Sequence, residues 1–287
     1  MLWSVSSHGQ IVLNSPTTDW YAITYVGSSR TDYLHDEQTG INESDLVGSA
    51  VGASPVQTAF YFDYDPVSNE IAFRVRVDGD SNPPGFTGAI WVGFLFDTGD
   101  SIDLFTGHID KNSRNEIGFY HPGTGSNTSP STTSIDDDTP IYSEAATSSN
   151  FLWTAVTVGP SGNDPVSGGT NDIGGDGKTD YFATWKFPFS RLESAALAAG
   201  NHTITANSTF RFVVGTSEQS NSMNQDLNGI SGNTTSSLTF SALGAVSPTV
   251  SPSGGIVPEP QTAAMLIGSL AFYFLAFRRS ASGSGRE

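Results

Sequence analysis

Two stretches of this chain gather hard oxygen ligands at short range. The first is Asp97-Thr98-Gly99-Asp100-Ser101-Ile102-Asp103, followed by Leu104-Phe105. The second is Asp172-Ile173-Gly174-Gly175-Asp176-Gly177-Lys178-Thr179-Asp180, followed by Tyr181-Phe182. Each holds a Gly-Asp pair, a further aspartate a few residues on, and then a strand-like run with Phe. Calcium takes six to eight oxygens, and Asp carboxylates with loop carbonyls supply them. Glycine lets so short a loop wrap an ion. Asp97, Asp100, Asp103, Asp172, Asp176 and Asp180 are therefore the candidate ligands for Ca2+. Neither segment has the EF-hand spacing or its terminal bidentate Glu. The competing reading is that Asp and Gly are simply the turn formers that precede a strand.

Other chemistry leaves little trace. The chain has no Cys, which removes thiol nucleophiles, disulfides and zinc-thiolate sites. His8, His35, His108, His121 and His202 are scattered without ligand spacing. Gly-x-Ser-x-Gly, His-Glu-x-x-His, the phosphate loop and the dinucleotide turn are all missing from the sequence. A glycoside hydrolase or lyase needs only two carboxylates that meet in space, so it stands as an alternative without a sequence mark. Twelve Lys+Arg against 29 Asp+Glu give a formal charge of −17, which repels phosphate and argues against a nucleic-acid partner.

The elements that must position these residues read as β. Over Ile71–Val77 large apolar residues alternate with Ala72, Arg74 and Arg76, the pattern of a half-buried strand. Trp20–Val26, Thr58–Tyr64, Phe151–Val158 and Phe210–Val214 are rich in β-branched and aromatic residues, and Ala89–Phe96 reads as a central strand. Leu104–His108, Glu116–His121, Asp180–Phe187, His202–Ala206 and Leu238–Ser241 are shorter candidates. One helix is expected over Arg191–Ala199, with Ser190 and Glu193 as a capping box and Gly200 as its stop. Pro122–Asn150, Gly159–Thr179 and Thr216–Ser237 read as long solvated loops. About ten strands with one short helix predict an all-β, antiparallel sandwich or jelly roll over residues 10–243. Trp91 and Trp185 lie inside apolar strands and are expected in the core.

A Ser/Pro/Gly-rich linker is expected over 244–256. Beyond it the composition changes. Val257-Pro258-Glu259-Pro260 leads to a single hydrophobic helix over 263–277, then Arg278-Arg279 and a polar tail over 280–287. Fifteen helical residues span roughly 22 Å, short of a hydrocarbon core of roughly 30 Å. Basic residues only on the C-terminal side place that side in the cytoplasm.

This ordered trio of Pro-Glu-Pro, short apolar helix and arginine cluster resembles the PEP-CTERM sorting tail of Gram-negative bacteria. The resemblance covers 257–279. It implies export, transient residence in the inner membrane, and cleavage near Pro258-Glu259-Pro260 by an exosortase-type enzyme. Residues 1–9 carry neither a basic n-region nor an apolar stretch, and read as the remnant of a longer signal peptide.

The body has a second likeness, carried by Asp19-Trp20, by Asp32, Asp36, Gln38, Glu43 and Asp45 crowded in a turn-like stretch, by Glu70–Val77, by Trp91–Asp103 and by Phe187-Pro188-Phe189-Ser190-Arg191-Leu192. In these features it resembles exported modules of the DOMON and family-9 carbohydrate-binding type. That implies a ligand-binding jelly roll. The expectation is an exported, non-enzymatic surface or extracellular-matrix protein. The alternative is a carbohydrate-binding module acting on exopolysaccharide.

Overall fold

The computed structural model describes residues 10–25, 31–39, 41–50, 52–80, 86–232 and 234–256. In chain order the elements are β1 (Tyr21–Ile23), β2 (Phe60–Asp65), β3 (Glu70–Val77), β4 (Gly88–Leu95), β5 (Leu104–Lys111), β6 (Arg114–Pro122), β7 (Ile135–Asp136), β8 (Tyr142–Ala145), β9 (Phe151–Ala155), β10 (Tyr181–Pro188), α1 (Phe189–Gly200), β11 (Arg211–Ser217), β12 (Asp226–Leu227), α2 (Phe240–Leu243), β13 (Val250–Ser251) and β14 (Gly255–Ile256). One sheet has the order β1-β2-β3-β10-β9. The other runs β12-β11-β4-β5-β6-β7, with β8 also on β6, and β13 and β14 form a separate hairpin. Every named strand pair is antiparallel. The fold is therefore the expected all-β sandwich. The apolar helix over 263–277 and the sorting motif lie outside the described residues, as do residues 1–9.

Period-two alternation builds the middle of the sandwich. Phe60, Phe62, Phe73, Val75, Ala183, Trp185 and Phe187 of the first sheet meet Ile90, Val92, Phe94, Leu104, Phe119 and Phe212 of the second. The register aligns Phe62 with Phe73 and Phe73 with Trp185, and the rings of Phe73 and Trp185 meet across neighbouring strands at 5.7 Å and 35°. Edge-to-face pairs such as Phe73–Phe94, at 5.8 Å and 90°, join the two sheets.

Both outer faces are covered as well, which the sequence reading missed. Trp91, Phe105, Ile109, Tyr120 and Val213 on the back of the second sheet pack with Ile135 of β7 and Leu227 of β12 in the same sheet and with Ile102, Met223, Ile230 and Phe240. The stretch expected as a solvated loop at 122–150 instead supplies β7 and β8, and that at 216–237 supplies β12 and carries Met223 and Ile230 into a third layer. The 244–256 segment, expected as a linker, also docks. Ala245 and Val250 are fully buried, and Val250 bridges Phe210 through paired backbone hydrogen bonds. Leu238–Ser241 is not a strand, because Thr239 caps the single turn of α2 and Gly244 (φ +82°) ends it. His202–Ala206 is likewise not a strand. It continues from the α1 terminus, where Asn201 (φ +58°) rather than Gly200 takes the left-handed position. The expected Ser190–Glu193 capping box does not form either. The helix starts two residues earlier, at Phe189 with Pro188 at its N-cap, and Ser190 O accepts from Ser194 Oγ inside the first turns.

On the outer face of the first sheet, β3 departs from a half-buried strand. Arg74 and Arg76 are fully buried, because residues 11–20 and 156–170 lie across them. The Arg74 guanidinium donates to Leu13 O (2.6 Å), Ser15 O (2.8 Å) and Thr184 Oγ1 (3.1 Å), and stands 4.2 Å over the Trp20 ring. Burial lowers its pKa to about 10, so it stays charged at neutral pH. Arg74→Ala strands those carbonyls and removes the stacked cation. It should lower unfolding stability by about 2–4 kcal/mol, read as a shifted urea midpoint. An unchanged midpoint would mean that the 10–20 segment is not docked on this face.

Candidate metal centre

One end of the sandwich brings acidic residues together from five parts of the chain. The antiparallel register pairs Val77 with Tyr181, so the residues just outside that pair, Asp78 and Asp180, leave the sheet side by side. Segment 44–46 bridges both sheets. Leu46 forms a β-bridge with Val77 of the first sheet, and its N–H donates to Asp226 Oδ2 (2.6 Å) of the second. Thr216 Oγ1 donates to Ser44 O in the same joint. Asp45 is therefore held between the sheets, beside Asp226 of β12. The 31–39 segment contributes Asp32, whose Oδ1 accepts from Gly229 N (2.8 Å), and Asp36, whose Oδ2 accepts from Gly232 N. The last contribution is Asp172. Its two oxygens accept from Gly175 N (2.6 Å) and Gly177 N (3.0 Å), which closes the loop on itself. Gly175 and Gly177 sit at φ +75° and +86°, a conformation side chains rarely adopt, so their glycines are required by the turn.

Among the described residues three overlapping groups result, each with ligand atoms within 4.8 Å of one another: Asp36, Asp45 and Asp226; His35, Asp45 and Asp78; and Asp78, Asp172 and Asp180. His35 is half-exposed and lies over the middle. Its N–H donates to Asp45 Oδ2 (2.8 Å), and its Nδ1 is 3.7 Å from Asp78 Oδ2. Asp32, Asp45, Asp78, Asp180 and Asp226 are fully buried. Arg76 holds Asp180 (2.6 Å) but is shared with Asp164 (2.8 Å). Oδ1 of Asp45 and Oδ1 of Asp180 are buried and, among the described residues, accept no hydrogen bond.

The electrostatics follow from this crowding. Desolvation, with repulsion from neighbouring carboxylates, raises Asp45 to about 8 and pushes Asp32 and Asp226 well above the usual range. Burial likewise raises Asp180 to about 7 despite the Arg76 guanidinium, and raises Asp36 and Glu37. Raised carboxyls can mark a general acid. Here the residues with the largest shifts are fully buried. A cation held among them would supply the missing positive charge.

The sequence candidates divide. Asp172 and Asp180 enter one group, and their partner Asp78 was missed. Asp176 turns away to Lys178, accepting from its N–H (2.8 Å) with an ion pair at 3.4 Å. The 97–103 loop does not form a ligand cluster among the described residues. Asp97 Oδ1 accepts from Gly99 N (2.6 Å), Asp100 from Ser241 Oγ, and Asp103 Oδ2 from Phe96 N (2.8 Å). The Arg211 guanidinium donates to Asp97 O and Gly99 O, taking the carbonyls a calcium ion would need. The crowded Asp32, Asp36 and Asp45 do converge. Glu43 instead accepts from Thr87 Oγ1 (2.7 Å), Gln38 bonds Gln225 through its backbone, and Asp19 is exposed. His35 and Asp226 had no local signal, since their neighbours in space are remote in sequence.

The pH dependence of the metal-free protein has a definite sign. Asp45 and Asp180 titrate higher in the folded state than the ordinary carboxylate value of roughly 4, so the stability they contribute is lost as pH rises through about 7 and 8. His108 is buried and lowered to about 4, which gives the opposite slope below its ordinary 6.5. Measured in chelator between pH of about 6.5 and 8.5, the melting temperature should therefore fall, and Asp45→Asn should flatten the fall. A midpoint that rises over this interval contradicts the assignment. Comparison with known proteins adds no relative to this picture: no family model matches the chain, and no curated protein or solved structure matches it significantly.

Proposed function

We propose that this chain is an exported surface or extracellular-matrix protein of a Gram-negative bacterium, whose non-enzymatic β-sandwich is closed at one end by calcium. The observation that carries the calcium part is the group Asp36, Asp45 and Asp226, drawn from β12 and from two connecting segments, with ligand atoms within 4.8 Å. All-carboxylate sets of this kind suit a hard cation. Extracellular calcium modules bind at roughly 0.1–1 mM. A centre of that affinity fills outside the cell and not in the cytosol, which couples completion of the fold to export.

The export part rests on Val257, Pro258, Glu259, Pro260, Arg278 and Arg279, with an exosortase-type enzyme and the inner membrane as transient partners. Among the described residues no helix is long and apolar enough to cross a membrane. The 263–277 run would serve as the temporary anchor. A second reading, a module that binds exopolysaccharide, draws on Trp153 and Tyr181. These stack at 5.2 Å on β9 and β10 and are only partly buried.

Calcium at about 100 times its dissociation constant should stabilise the fold by about 2.7 kcal/mol. That is a rise in melting temperature of roughly 5–10 °C over the chelated protein for a domain of this size. Equal midpoints with calcium and with chelator would overturn the calcium reading. For the route, the intact mass of protein recovered from the native surface should lack everything beyond the Pro258-Glu259-Pro260 region. A mature form that retains Phe277 would identify a permanent anchor instead. A discrete hit on a glycan array would favour the second reading.

A further inference from the structure

Resting on the calcium reading above, we infer that the centre is binuclear: one ion lies among Asp36, Asp45 and Asp226, and a second lies among Asp78, Asp172 and Asp180.

The argument begins with geometry. An ion 2.3–2.6 Å from each ligand places its ligands at most roughly 5 Å apart. Both all-carboxylate groups satisfy this, with their ligand atoms within 4.8 Å. They share no residue, so six different carboxylates can fill two sites at once. The third group, His35, Asp45 and Asp78, takes one member from each and adds an imidazole. Calcium prefers oxygen to nitrogen donors, so this middle group is the joint between two sites rather than a third site.

Each site also has its own buried oxygen in need of a partner. In the first it is Oδ1 of Asp45, and in the second Oδ1 of Asp180. Both residues are fully buried, where an unpaired carboxylate oxygen is costly. The other oxygen of each is already engaged, Asp45 Oδ2 by His35 N and Asp180 Oδ2 by Arg76 and Ile173 N.

Charge points the same way. With Asp32 and Glu37 the end holds eight carboxyl groups among the described residues, against Arg76, which also serves Asp164. Ionising the six carboxyls of the two groups calls for more positive charge than one divalent ion brings, and two ions supply it more nearly. The sites differ in construction. The first joins the two sheets through Asp45 and Asp226. The second is completed by Asp172, on a glycine-rich loop whose neighbours Gly174, Gly175 and Asp176 are partly to fully exposed. The second site should therefore be the weaker, and the first should carry most of the thermal stabilisation.

The test is calcium titration of the full chain in mild detergent by isothermal calorimetry and equilibrium dialysis, with near-ultraviolet circular dichroism as the check on folding. The unmodified protein should bind two equivalents. Asp172→Asn should bind one equivalent and keep most of the calcium-dependent rise in melting temperature. Asp36→Asn should also bind one equivalent but lose most of that rise. A single equivalent in the unmodified protein overturns the binuclear centre while leaving the calcium reading intact. No binding at all overturns both. If Asp36→Asn fails to fold, Asp172→Asn decides alone: complete loss of binding in this folded variant would mean one shared site, contrary to the inference.

Discussion

The end of this sandwich is governed by the cost of placing carboxylates away from water without enough positive charge beside them. Asp32, Asp45, Asp78, Asp180 and Asp226 are all buried there, and Arg76 is divided between two acids. Repulsion among them opposes the joint in which Leu46 touches one sheet through Val77 and the other through Asp226. Protonation relieves that repulsion at low pH, and a divalent cation bound to the ionised carboxylates would relieve it at higher pH, so both would act on the same structural joint.

The first sheet shows a second way to bury charge. Arg74 and Arg76 point outward from β3, yet both are covered. Arg74 is satisfied by carbonyl oxygens and by the faces of Trp20 and Phe182. Arg76 is satisfied by Asp164, Asp180 and Thr170 O. These interactions fasten the covering segments to the sheet. Arg76 also runs from that cover to the acidic end, since Asp180 is both its partner and a member of the ligand group.

The outer layers explain why so acidic and loop-rich a chain has so much apolar surface to hide. Met223, Ile230 and Phe240 come from polar stretches, yet they seal the back of the second sheet around Trp91. Irregular segments here supply packing as well as connection. The same segments deliver Asp226 to the acidic cluster, so the third layer and the candidate site are parts of one arrangement.

The strands were legible in the sequence because period-two alternation is a local property. Ile71–Val77, Ala89–Phe96 and Asp180–Phe187 all fall where it placed them, and Trp91 and Trp185 lie in the core. Part of the candidate centre was legible too, since Asp172 and Asp180 share one loop and Asp32, Asp36 and Asp45 share one turn-rich stretch. Pairing these with Asp78 and Asp226 required strand register and sheet packing, which join residues from separate parts of the chain. The same limit made the 97–103 loop look like its counterpart, because only the fold brings Arg211 to its carbonyls. Composition determined that the chain is acidic, thiol-free and rich in strands. Tertiary structure alone decided which acids face one another, because a carboxylate's neighbours in space are set by the packing of both sheets.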